Sequence, residues 1–204
     1  MRLGRHLTPR YVWHRIYVEL FRRRERRKGE STVPLLAMQA VQFLDGWLRS
    51  TDAILEYGSG GSTRWLASRV KRLVSVEDDP GWYETVLSQT RGMVNLEYHL
   101  LGGAQTSHLD APDLPSWRTT APLDYLSVAE AQDPNSFDVV LNDGWGRDAV
   151  GTRLVPLVKP GGLLIWDDDP PAFAPLLELL ADWRRVEWFD GVHRTTVFFK
   201  PLET

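Results

Sequence analysis

Between Ala53 and Val70 the chain reads AILEYGSGGSTRWLASRV, and that order leaves few folds open. An apolar run passes through an acidic residue into glycine and serine, then into a helical pattern: strand, tight turn, helix N-terminus. Ala53, Ile54 and Leu55 form the short apolar run expected of a strand buried on both faces. Gly58, Gly60 and Gly61 let the backbone turn sharply and leave no Cβ to block a ligand. Ser62 or Thr63 is placed to cap the following helix, whose free N–H groups favour acceptor or anionic groups. The dinucleotide fingerprint G-x-G-x-x-G needs a sixth-position glycine; counted from Gly58, that residue is Thr63. What stands here is E-x-G-x-G-x-x-T, opened by Glu56. A Gly-rich βα turn with no ligand has the same local form, so the rest of the chain must decide.

The 204 residues suit one domain with an N-terminal extension, and a hydrophobic fraction of 43% supports a real core. With no cysteine, disulfides, thiolate metal sites and thiol catalysis are excluded. No apolar run approaches membrane-spanning length. Arg2, Arg5, His6 and Arg10 are followed by no apolar stretch, so the N-terminus does not read as a secretory signal. These features fit a cytoplasmic protein. Charge is uneven: residues 1–30 hold nine Arg and one Lys against three Glu, a surplus of +7 that leaves −10 on the remainder. The acidic body argues against a nucleic-acid footprint over the whole surface.

Thr8-Pro9 reads as the cap and first residue of a helix carrying Trp13, Ile16, Tyr17, Leu20 and Phe21 at helical spacing, with a basic tail from Arg22 to Lys28. Two readings stand: a helix lying on an anionic membrane surface or docking a partner, and a helix packed on the domain with its basic end solvated. Val33-Pro34 opens a second helix with a broad apolar stripe through Trp47. Residues 1–50 are thus an expected helical extension on the core domain, 51–204.

After the first βα unit, Arg72–Val76 reads as a strand that Glu77 ends. A carboxylate 17 positions after Gly60 suits a ribose, since it accepts from both hydroxyls. Asp78 and Asp79 are read as caps of the next helix, and Asp78 also as a cofactor contact. Trp82 and Tyr83 are candidates for an adenine wall. Val94–His99 is a third strand, and His99 is a structural histidine before it is a base. Residues 102–122 show no periodicity and hold Pro112, Pro115 and Pro122. They read as a lid or acceptor wall bearing His108, Asp110, Asp113, Trp117 and Arg118, or as a solvated insertion. Asp124–Gln132 is a short helix and Phe137–Leu141 a buried strand ending in Asn142-Asp143-Gly144. LVKPGG turns into strand Leu163–Trp166 and then Asp167-Asp168-Asp169. A helix near Phe173–Trp183 and strands near Val186–Phe189 and Thr195–Lys200 complete the chain, the last two joined as a hairpin.

Four stretches, LEYGSGGST, VSVEDDP, FDVVLNDGW and LVKPGGLLIWDDD, together resemble the class I S-adenosylmethionine-dependent methyltransferases over a little more than half the chain. The resemblance implies a doubly wound α/β fold. Its mostly parallel seven-stranded sheet would end in a C-terminal antiparallel hairpin, with the N-terminal helices before it. It implies S-adenosylmethionine as cofactor, bound by Glu56, Gly58, Ser59, Gly60, Ser62, Thr63, Glu77, Asp78 and Asp143, with Glu56, Gly58, Gly60 and Ser62 on the methionine side. Glu77 would take the ribose, and Asp143 would border the sulfonium as the catalytic residue. The pair NDGW and WDDD also resembles catechol-type O-methyltransferases. That implies a divalent cation, Mg²⁺, on Asp143, Asp167 and Asp168, which would acidify a bound hydroxyl. Two positions depart from that pattern: Gly146 stands where a catalytic lysine is expected, and Asp168 where asparagine is. A reading without metal makes Asp167–Asp169 a helix cap. Trp145 and Trp166 are candidates to flank a sugar or aromatic acceptor, or core residues.

The expected activity is O-methylation of a small-molecule or glycan hydroxyl. The alternatives are a non-catalytic binding module on a methyltransferase fold and a nicotinamide-dependent oxidoreductase. The basic N-terminal helix leaves peripheral membrane or protein contact open.

Overall fold

Side chains in a strand alternate between faces, and the central strands here carry apolar residues in both phases, so helices must cover the sheet on both sides. The computed structural model describes residues 33–202; the basic helix expected over Thr8–Lys28 lies outside them. Strand β1 (Ala53–Tyr57) sends Leu55 and Tyr57 to one face and Ile54 to the other. Strand β6 (Phe137–Asn142) divides Val140 from Val139 and Leu141, and β7 (Val158–Asp167) divides Leu164 and Trp166 from Leu163 and Ile165. All of these side chains are essentially inaccessible to solvent.

The remaining strands of the main sheet are β2 (Arg72–Glu77), β3 (Leu96–Leu100), β8 (Arg184–Phe189) and β9 (Arg194–Phe199). The order is β3-β2-β1-β6-β7-β9-β8. Strands β3, β2, β1, β6 and β7 are parallel, and β9 runs antiparallel to both β7 and β8. The seven-stranded sheet and its terminal hairpin are those the resemblance implies. Helices α1 (Met38–Trp47) and α2 (Gly61–Ala67) cover one face. Helix α3 (Pro80–Gln89) links β2 to β3. On the other face lie α5 (Leu123–Glu130), α6 (Arg147–Leu154) and α7 (Ala174–Leu179). Helix α1 begins at Met38 rather than Val33. It is pinned by the Ala37 N–H on Thr195 Oγ1 (2.9 Å) and by Phe43 against Trp188 and Phe199 (5.5 and 5.9 Å between centroids).

Residues 102–122 are not structureless. Strand β4 (Thr106–His108) pairs antiparallel with β5 (Thr120–Pro122), and the short helix α4 (Ser116–Thr119) lies between them. Three-residue strands are too short to show a period in sequence. Helix α6 has no counterpart among the expected elements. Its RDAVGTRL buries Asp148 and Gly151 along with Ala149, Val150 and Leu154, so no apolar stripe marks it. The third strand starts at Leu96, and Val94 is fully exposed before it.

Chain order reverses between β1 and β6: the chain winds outward to β3 and then returns across β1. In an open α/β sheet, ligands bind outside the strand ends at such a switch point. The ends meet closely there. Gly58 N donates to Val76 O (2.9 Å) and Asp143 N to Tyr57 O (2.8 Å). Gly58 has φ +86°, and a Cβ on it would lie 2.6 Å from the Asp143 carbonyl carbon, so only glycine fits.

Candidate active-site cleft

A cleft of about 320 Å³ opens at this switch point, lined by Gly58, Ser59, Glu77, Asp78, Trp82, Trp117, Asp143, Gly144, Trp145 and Arg147. It gathers the ends of β1, β2 and β6, the start of α3 and α6, and one residue of the 102–122 lobe.

Glu77 faces the cleft and is held at both oxygens. Oε2 accepts from Ser59 N (3.0 Å) and Ser59 Oγ (2.6 Å), and Oε1 from the backbone N–H groups of Asp78 and Asp79 (3.1 and 3.0 Å). The Ser59 hydroxyl also meets Tyr98 Oη at 2.6 Å, and Tyr98 stacks on Tyr83 (4.3 Å). Asp79, not Asp78, caps α3, accepting from Trp82 N at 2.6 Å. Asp78 is left facing the cleft, where burial and the Glu77 charge raise its pKa. Trp82 donates its indole N–H to Ser59 O (2.7 Å) and lies over the glycine turn. Tyr83 is not in the cleft lining.

Glu56, Gly60, Ser62 and Thr63 do not border the cleft; they lie behind it. Gly60 is the cap of α2, so neither Ser62 nor Thr63 caps it. Thr63 reaches back instead: Oγ1 accepts from Gly60 N (2.9 Å) and donates to Glu56 Oε2 (2.6 Å), which also takes the Ser75 hydroxyl at 2.6 Å. Glu56 sits on the α2 face of β1 and is fully buried. Burial raises its pKa to about 7, with the hydroxyls of Ser62, Ser75 and Thr63 opposing. The acidic residue of the turn therefore braces the loop from below.

Asp143, Asp167 and Asp168 do come together, with an arginine among them. Arg147 Nη2 donates to Asp143 Oδ1 (2.9 Å) and Asp143 O (3.2 Å), and Nη1 to Asp168 Oδ2 (3.1 Å) and Asp167 O (2.8 Å). Nε donates to Gly144 O (3.2 Å). Asp167 is buried and its Oδ1 accepts from Thr195 Oγ1 at 3.2 Å. Burial raises both Asp143 and Asp167. For Asp167 the neighbouring charges of Asp143 and Asp168 add to that rise, and for Asp143 the Arg147 guanidinium opposes it. Among the described residues, the grouping that could ligate a cation is Asp167, Asp168 and His193, within 4.8 Å; it leaves Asp143 out. The expected metal set of Asp143, Asp167 and Asp168 does not fit the arrangement. A permanent cation, the Arg147 guanidinium, already binds the carboxylates of Asp143 and Asp168.

Other expected residues fall elsewhere. His99 pairs with Glu97 (2.9 Å) on β3, outside the cleft. Trp166 is a core residue whose indole N–H is bound by Asp169 O (2.9 Å). In the 102–122 lobe, Trp117 borders the cleft, whereas His108 is bonded to Thr120 Oγ1 (2.8 Å). Arg118 is buried in an ion pair with Asp148, whose other oxygen takes Ala172 N (2.8 Å) and Phe173 N (2.9 Å). Tyr125, missed in the sequence, lies under the cleft floor. Its hydroxyl fills the space beside Gly144 where a side chain would be, and has no hydrogen-bond partner among the described residues. A buried donor without an acceptor is costly.

No protein-family model and no curated protein sequence matches the chain. Solved structures do. A methyltransferase from Geobacter sulfurreducens aligns over 90% of this chain and 88% of its own, with TM-score 0.56 and 14% identity. A methyltransferase-like protein from Silicibacter pomeroyi aligns over 84% and 90%, with TM-score 0.55 and 19% identity. An rRNA methylase from Streptococcus thermophilus aligns over 79% and 93%, with TM-score 0.54 and 11% identity. The fold of this chain is that of the class I S-adenosylmethionine-dependent methyltransferases.

Proposed function

We propose that this chain is an S-adenosylmethionine-dependent methyltransferase that methylates a hydroxyl on a small molecule or glycan. The observation that carries the reading is Glu77. It is a fixed carboxylate in a cleft at the sheet's switch point, beside a turn that only glycine can make. Three of its four donors are backbone N–H groups, and only the Ser59 hydroxyl is free to leave. That hydroxyl already has Tyr98 Oη as a second partner. A ribose hydroxyl can take its place on Glu77 while Ser59 turns to Tyr98. Asp78 and Trp82 border the same end of the cleft.

The cofactor supplies an activated methyl group on a sulfonium. The chain supplies alignment and a proton acceptor. Asp143 borders the cleft with its carboxylate held by Arg147. The Asp143 carboxylate would accept the proton of an acceptor hydroxyl placed beside it, while the bound cofactor would supply the methyl group. Trp117 and Trp145 wall the cleft nearby, which suits a flat ring or the apolar face of a sugar.

Calorimetric titration tests the reading. S-adenosylhomocysteine should bind and NADH should not. Glu77→Ala should weaken binding by about 10–100-fold, the worth of charge-assisted hydrogen bonds to two hydroxyls. Binding of NADH, or undiminished affinity in Glu77→Ala, would overturn it.

A further inference from the structure

The disagreement between the acidic cluster and a metal site has a structural cause, which lies in Arg147. Its guanidinium has five N–H donors. All five are used, two on the carboxylates of Asp143 and Asp168 and three on the carbonyl oxygens of Asp143, Gly144 and Asp167. Carboxylate and carbonyl oxygens converging from the ends of two adjacent strands are what a hard cation takes as ligands. Here a planar cation has taken them.

The backbone explains why arginine does this. Gly146 caps α6 at φ +63°, and a Cβ there would lie 2.5 Å from Thr120 O. No side chain can reach the cleft from position 146. The next residue begins the helix four positions after Asp143 and turns back across both strand ends.

The geometry points to Arg147 as a built-in replacement for a divalent cation: it ties the carboxyl ends of β6 and β7 together, aims Asp143, and makes the site independent of metal. Arginine suits this better than lysine. It keeps its charge at any working pH and its fork meets several acceptors in one plane. A divalent ion would have to displace a charge that cannot titrate away. Arg147 is a positioning residue acting through Asp143, and this inference deepens the reading of the same cleft as a methyltransferase site.

The test is ion binding to the full chain, which needs no methyl transfer, so it can fail or succeed whatever the acceptor proves to be. Mn²⁺ is titrated into the wild type, Arg147→Met, Arg147→Lys and the double variant Arg147→Met/Asp168→Asn, with folding checked by circular dichroism. Wild type and Arg147→Lys should show no saturable binding at the cleft. Arg147→Met, which frees the Asp143 and Asp168 carboxylates, should bind Mn²⁺ saturably, at least ~10-fold tighter than any residual wild-type binding, and the double variant should lose it. Saturable Mn²⁺ binding by the wild type that Asp168→Asn or His193→Ala abolishes would overturn the proposal. So would a folded Arg147→Met that gains nothing. If Arg147→Met does not fold, the wild-type titration decides alone: binding refutes the proposal, and its absence up to millimolar ion supports it.

Discussion

Glu56 is the clearest case of one side chain setting a property of the whole chain. It is fully buried, with one oxygen satisfied by Thr63 and Ser75 and the other without a partner among the described residues. Its pKa stands at about 7 against an ordinary 4.5. A group whose folded pKa is raised contributes stability that is fully present below its unfolded pKa and is lost as pH rises through its folded value. The window is therefore about 4.5 to 7, and the difference amounts to about 3 kcal/mol. Glu56→Gln should flatten the fall in stability across that window. Urea unfolding at pH 5 and pH 8 measures it: a variant as pH-dependent as the wild type would contradict the assignment. The Asp143–Asp167 pair is raised in the same direction, so the variant should keep part of the wild-type slope. Asp143→Asn should leave affinity for S-adenosylhomocysteine within a few-fold and lower kcat by about 10²–10⁴, the usual worth of a positioned base. Single-turnover kinetics on any accepted hydroxyl would reveal a loss in binding instead.

At the scale of elements, three otherwise separate pieces are held around the cleft by one buried ion pair. Arg118 belongs to α4, Asp148 to α6, and the groups they also bind, Pro170 O and the N–H groups of Ala172 and Phe173, to the segment after β7. Trp117 precedes Arg118 and Arg147 precedes Asp148, so the pair places two cleft residues from behind. Removing one partner leaves the other charged and buried, which costs about 3–5 kcal/mol. Asp148→Ala should lose that much in urea unfolding, and also weaken the cleft, since Trp117 O takes the Gly146 N–H at 2.9 Å. A stability unchanged within ~0.5 kcal/mol would show that the pair is dispensable.

For the whole molecule, the sheet is unequally protected. Strands β1, β6 and β7 are flanked by neighbours on both sides and covered on both faces, whereas β3 and β8 are edges, and β8 is largely exposed. Amides in the central three should exchange only through global unfolding, and those of the edge strands by smaller openings. Hydrogen exchange resolved by peptide would show it; equal rates across β1 and β8 would not fit. The same logic bears on the boundary between residues 1–50 and 51–204. Helix α1 packs through Leu44 and Phe43 on the α2 face and the terminal hairpin. A chain beginning at Arg49 should therefore lose about 2–5 kcal/mol, comparable to truncating one or two large core side chains. A fragment as stable as the intact chain would place the domain boundary at that residue.

The sequence by itself determined the central strands, the glycine turn, Glu77 at the end of β2 and Asp143 at the end of β6. Each is a local matter: an apolar run of strand length, a φ that only glycine tolerates, a polar residue where the run stops. The terminal hairpin was legible for the same reason, through its short connector. Elements without a period were not legible. Helix α6 has no apolar stripe and β4 and β5 have three residues each. The partners of polar side chains were decided only by the tertiary structure. Nothing in the spacing tells that Thr63 turns inward to Glu56, that Trp166 is core while Trp145 borders the cleft, or that Asp167 is buried against Asp143. Carboxylates at adjacent strand ends read alike whether a metal or a guanidinium joins them. Which one does depends on where α6 sets its first residue, and that follows from packing between strands far apart in the chain.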